Sequence, residues 1–244
     1  MELLGPHELA HVFAQLTDPA DVARVRAVCR EWRALVDPPH IDGTQIPDIL
    51  RLAPNNILEA ACRAGSLDLA QYAVLRGATD FDRGLSNACR GGHKELVDFA
   101  ILRGATNFNV AFYAACERGN KEIVELMILH NLAYIKTLKD IRDMTQYAVN
   151  FDVGLSCACR GGHIEIAKLM ISRGATDFNR GLCNACCGGY KEIVELITSH
   201  GPIDFGRAIK CACVYGNADI ARLIGALAPT INCSYCRKLG AEHI

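Results

Sequence analysis

The sequence predicts an all-α protein: a short three-helix module followed by an α-solenoid of about six compact helix–turn–helix repeats. Three observations lead there. Cys62, Cys89 and Cys116 stand 27 residues apart, as do Cys159, Cys186 and Cys213, and the two triplets are 43 residues apart, 16 more than one period. Around each cysteine the neighbouring positions fall into columns, which marks a tandem repeat of one supersecondary unit. Before residue 54 the columns are missing, and six of the eight prolines occur by residue 54.

Composition narrows the class. With 244 residues, 50% of them hydrophobic, the chain can bury a core without staples. Its formal net charge of -1 lacks the basic excess of phosphate-binding proteins, so no nucleic acid partner is expected. No apolar run reaches the roughly 18 residues that a membrane helix needs. Glu2 and Glu8 among the first leucines, with no basic lead, do not read as an export signal. A cytoplasmic protein with no membrane partner is expected, so the thirteen cysteines are read as thiols and not as a disulfide framework.

Three short helices can be read between Pro6 and Val36. Leu9, Val12, Phe13 and Leu16 form an i, i+3, i+4, i+7 stripe. Asp18 and Pro19 stand as N-cap and first residue of a second helix carrying Asp21 and Val22. Val25 or Val28, Cys29, Trp32, Leu35 and Val36 share one face of a third, which ends at Asp37-Pro38-Pro39. The expected organisation is a module over 1–40, a linker over 41–54, an array over 55–229 with an insert near 131–146, and a tail over 230–244.

Each column of the array has a physical job. Asn55, Asp82, Asn109, Asp152 and Asn179, seven residues before the column cysteine, are expected to cap the first helix. Large apolar residues four before it and small Ala and Cys at its end let neighbouring helices pack closely. Glycines three after it (Gly65, Gly92, Gly119, Gly162, Gly189 and Gly216) should end that helix in the left-handed conformation. Ser66, Asn120 and Asn217 are expected to cap the second helix, with His93, His163 and Tyr190 in the same slot. Asp68, Glu95, Glu122, Glu165, Glu192 and Asp219 then place an acid in its first turn. Gly77, Gly104, Gly174 and Gly201 should stop it, with Asn131 in that slot of the third copy. The extra residues between His130 and Tyr147 suggest an added or extended helix through Leu138, Ile141 and Thr145. They are either a tolerated insertion or a dedicated contact element.

The run "CRGGHKELVDFAILRGATNFN" resembles the ankyrin repeat, and the resemblance recurs in register across 55–229. Two features depart from the family: the period is 27 and not about 33, and "RGLS" or "RGLC" replaces the usual Thr-Pro-Leu-His. Shortened or missing β-hairpin fingers follow. This compact form is similar to ankyrin arrays of large DNA viruses of protists, which would put the chain in a host cytoplasm. The run "GPHELAHVFAQLTDPADVARVRAVCREWRAL" resembles the F-box through Pro6, Glu8, Leu9, Val12, Phe13, Leu16, Asp21, Val22, Val28, Cys29, Trp32, Arg33 and Leu35. That resemblance implies binding to the Skp-type adaptor of a cullin ubiquitin ligase complex. Pro6, Glu8, Leu9, Val12, Phe13, Leu16, Asp21, Val22 and Trp32 would be the adaptor-binding residues. A repeat array would then recruit the target protein, whose identity the sequence does not name. The alternative is a free-standing ankyrin scaffold or inhibitor whose N-terminal helices only cap the array.

No phosphate loop, nucleophile elbow or His-Glu-x-x-His is present, and no enzyme activity, catalytic residue or cofactor is expected. The column cysteines read as small core residues. Cys183 and Cys187, one turn apart, with Cys157 and Cys211 in flanking copies, and the Cys233-Ser-Tyr-Cys236 pair with His243 are weak metal signals, and no metal is expected. The variable positions lie one and two residues after the column cysteine. Arg63, Arg90, Glu117, Arg118, Arg160 and Tyr215 are the expected target-binding residues, suited to an acidic partner because a guanidinium forks onto carboxylates.

Overall fold

Helix after helix forms because every second-helix stripe needs a neighbour to cover it. The structure, a computed structural model, describes residues 52–138, 148–201 and 203–228. Among these there are twelve α-helices and no strand: α1 Pro54–Ala64, α2 Leu67–Leu75, α3 Phe81–Gly91, α4 Lys94–Leu102, α5 Phe108–Arg118, α6 Lys121–Ile135, α7 Phe151–Gly161, α8 Ile164–Ser172, α9 Phe178–Gly188, α10 Lys191–Thr198, α11 Phe205–Val214 and α12 Ala218–Leu227. The N-terminal module, residues 139–147 of the insert and the tail from 229 lie outside the described residues. No described helix is long and apolar enough to cross a membrane.

Two compact units divide the chain, Met1–Asn107 and Phe108–Ile244. In the first, α1 and α3 pack side by side, each also against the second helix of its own repeat, while α2 and α4 meet only lightly. In the second, α5, α7, α9 and α11 stack in succession, with α6, α8, α10 and α12 as their respective partners. Consecutive helices thus pack in each unit as in a solenoid of repeats. The small column residues set this closeness: Cys62, Cys89, Cys116, Cys159 and Cys186 are all 0% exposed. At Gly84 an added Cβ would sit 3.3 Å from Cys62 Sγ, which leaves room for little else. Leu58, Leu85, Phe112, Leu155, Leu182 and Ile209 fill the layer beneath, each worth about 1.5–3 kcal/mol of apolar burial.

The capping expectation holds at the glycine end and shifts at the other. Gly92 ends α3 with φ 82, and the equivalent glycines close α1, α7 and α9 in the same left-handed state. The first helices, however, begin one residue before the expected cap. Asp80, Asp177 and Asp204 accept from the amides of Arg83, Arg180 and Arg207, each at 3.1 Å, and Asn150 accepts from Asp152 and Val153. Four of the five residues expected to cap serve the next repeat instead. Asp82 Oδ1 accepts from Thr106 and Asn107 at 2.6 and 2.8 Å, and Asp152 Oδ1 accepts from Thr176 and Asp177. Asn55 accepts from Thr79 and Asp80, and Asn179 from Asp204. The helix already has a cap, so a carboxylate in its first turn is left to satisfy loop amides 24–25 residues on. Asp82→Ala is expected to cost about 1–2 kcal/mol in urea denaturation, and Asp82→Asn much less, since asparagine fills this slot at Asn55.

The second-helix slot divides likewise. Ser66 caps α2 by accepting from Leu69 N at 3.3 Å. Asn217 makes no side-chain cap; its Nδ2 donates to the carbonyls of Cys186 and Cys187 in the preceding repeat. Asn120 likewise makes no side-chain cap on α6. The acids expected in the first turns are all in place. Asn131 does not stop its helix. It is 1% exposed inside α6, which continues to Ile135, and its Oδ1 accepts from Val149 N. Lacking glycine's freedom, Asn131 continues the helix, which runs on to Ile135 but stops short of Leu138; Ile141 and Thr145 lie outside the described residues.

Candidate protein-docking surface

The ends of the first helices carry the expected target-binding residues. In the first unit Arg63 and Arg90 close α1 and α3, both exposed. Arg63 is partly engaged: its guanidinium pairs with Glu59 at 2.5 Å and lies 3.4 Å from Asn87 Oδ1. Glu59 also holds Arg83 at 2.5 Å. In the second unit Arg118 is exposed, Glu117 is half-buried, and Arg160 Nη1 lies 3.9 Å from Glu117. Tyr215 is 65% exposed beside Val214 at 57%, the pair forming an apolar step at the end of α11. Within the second unit, then, the structure brings Glu117 and Arg160 together.

The second variable position proves to be structural where it is glycine. His93 Nε2 reaches back to the Arg63 carbonyl at 3.2 Å, and His163 Nε2 to that of Glu117 at 3.1 Å. The rings lie over Gly91 and Gly161, and Tyr190 occupies the same place against Gly188. Glycine to alanine in a helix usually stabilises by about 0.5–1 kcal/mol. At Gly161 a Cβ would meet the Glu117 carbonyl oxygen and the His163 ring, so Gly161→Ala is expected to destabilise by about 1–3 kcal/mol in thermal melts.

Burial pushes Cys187 up to about 11 and Cys183 to about 12, and burial also raises Cys157, against the opposing pull of Arg160 and Arg180. Cys211 is within hydrogen-bond reach of both Cys183 and Cys187, so the flanking repeat does supply a third thiol to that pair. No group of three or more His, Cys, Asp or Glu among the described residues is arranged to hold a metal ion. Cys233, Cys236 and His243 lie outside the described residues, as do all the expected adaptor-binding residues from Pro6 to Trp32.

Sequence reasoning passed over Arg180, Arg207 and Lys210, all exposed and one to two turns earlier on the same first helices. Their signal was compositional: after the first turn, α7, α9 and α11 contain no Asp or Glu.

Residues 6–41 match the family model described as F-box-like. The match contains every residue on which the F-box resemblance rests. No curated protein matches the chain. An F-box-like segment ahead of stacked helical repeats suggests a protein-interaction adaptor of the kind found in ubiquitin ligase complexes, a class that is typically not enzymatic.

Proposed function

We propose that this protein is the substrate-recruiting subunit of a Skp–cullin–F-box ubiquitin ligase, with the adaptor held by residues 1–40 and the target by ankyrin-like repeats over 55–229. The observation that carries this reading is the F-box-like match at 6–41 placed directly before the repeats. The ankyrin-like reading is supported by helix–turn–helix pairs at a 27-residue period, each first helix closed by a left-handed glycine in α1, α3, α7 and α9. Such an array presents the ends of its first helices, where Arg63, Arg90, Glu117, Arg118, Arg160 and Tyr215 stand, while adaptor contacts fall to Pro6, Glu8, Leu9, Val12, Phe13, Leu16, Asp21, Val22 and Trp32. It needs no cofactor and works in the cytoplasm, where the ligase is. Affinity purification of the full chain from cells, followed by mass spectrometry, tests it. Adaptor and cullin peptides in stoichiometric amount are the expected result; their absence would favour a free-standing scaffold.

A further inference from the structure

The charges of repeats four to six are sorted by layer. On the second helices each cation has an acid beside it: Lys168 has Glu165 at 2.9 Å, Lys191 has Glu195 at 3.7 Å, and Arg222 has Asp219 at 2.6 Å. On the first helices it is otherwise. Arg160, Arg180, Arg207 and Lys210 are exposed, and the acids nearest them on these helices are committed to backbone: Asp152 in α7 accepts from loop amides, and the N-caps Asp177 and Asp204 of α9 and α11 accept from the amides of Arg180 and Arg207. The facing acid from the neighbouring repeat is Glu117, against Arg160 alone.

These cations share one face. The three helices stack in succession, and the thiols between them feel the charges: Cys157 those of Arg160 and Arg180, Cys187 that of Arg160, and Cys183 that of Arg207. Lys210 lies one turn beyond Arg207, next to Cys211. Because burial keeps these thiols protonated, they supply no anion to cancel the arginines.

We infer that the first-helix face of repeats four to six, centred on Arg160, Arg180 and Arg207, is the docking site for an acidic, extended segment of the target protein. The inference rests on the repeats being the target-binding part. Carboxylates would meet the guanidinium forks at successive repeat spacings, while the self-paired outer layer offers an anion nothing. The net charge of -1 favours a peptide over nucleic acid, whose phosphates the acids elsewhere on the chain would repel.

Fluorescence anisotropy on the full chain tests this with a labelled peptide of alternating glutamate and serine, its glutamine counterpart, and single-stranded oligo-dT of matching length. The glutamate peptide is expected to bind and the glutamine peptide not. The triple variant Arg160→Ala, Arg180→Ala, Arg207→Ala should bind about 10-fold more weakly, three exposed charge pairs' worth. The charge-matched outer triple Lys168→Ala, Lys191→Ala, Arg222→Ala should bind as wild type. Equal loss in both triples, tighter binding of oligo-dT, or no glutamate binding would each overturn the inference. Adaptor capture measured on the same samples separates the two readings. Capture without peptide binding removes this inference alone, and peptide binding without capture removes the ligase reading alone.

Discussion

Replacing Leu9, Phe13 and Leu16 together by alanine is expected to abolish adaptor capture. The three are spaced i, i+4, i+7 in the sequence of the F-box-like segment, as one helical stripe would require, and buried apolar anchors carry most of the energy of an interface. Each truncation at such an anchor costs about 2 kcal/mol or more, so the triple variant should lose at least about 1,000-fold in affinity. Calorimetric titration with purified adaptor measures this, and thermal melting supplies the control. In a ligase subunit the melting midpoint should hardly move. Were the N-terminal helices only a cap on the array, the same three residues would pack on the repeats, and the midpoint would fall while capture stayed unchanged.

Alkaline pH should unfold the repeats. Burial raises Cys62 and Cys159 from an ordinary 9.0 to about 12, and raises Cys89, Cys116 and Cys186 as well. Above pH 9 the unfolded chain releases these protons while the folded chain keeps them, so unfolding gains free energy as pH rises. Below pH 9 both states hold the protons and the thiols contribute no pH dependence. Each such thiol withdraws about 1.4 kcal/mol per pH unit once past its unfolded value. Five acting together approach the whole stability of an ordinary domain, about 5–15 kcal/mol, within one to two units. Urea midpoints at pH 8, 9 and 10 should therefore fall steeply over the last step. Cys62→Ala combined with Cys159→Ala should flatten that fall, whatever it does to stability at pH 8. A flat profile to pH 10 would show that the column cysteines are not sealed from water.

What the sequence made legible was whatever repeats. Periodic cysteines, glycines and apolar columns gave the helix pairs, their closing turns and the all-helical class, because each follows from local propensity copied in register. What it hid were bonds between copies. Asp82 looks like a cap because aspartate at a helix start usually is one; only the neighbouring loop, 24 residues away, shows its employment. His93 and His163 filled a capping slot on paper, yet their rings reach the preceding repeat. Gly161 appeared variable because its neighbours differ between copies, while its constraint comes from a carbonyl one repeat back. The cationic face was missed for a related reason: Arg180 and Arg207 precede the variable positions, and what marks them is the acid that is not there.

The bonds from Asp82, Asp152 and Asn179 to the next loop each span 24 or 25 residues. They measure out chain. A residue gained or lost inside that span would pull the loop amides off register, so the array can change length cleanly only by whole copies. The 16-residue excess lies between the third and fourth cysteines. There Asn131, in the lengthened α6, takes the amide of Val149 and resets the count. In the sixth copy the measuring position is Gly206, which has no side chain to offer. Growing the array past that point would therefore require an acceptor to be restored at 206 before any seventh copy could be held in step.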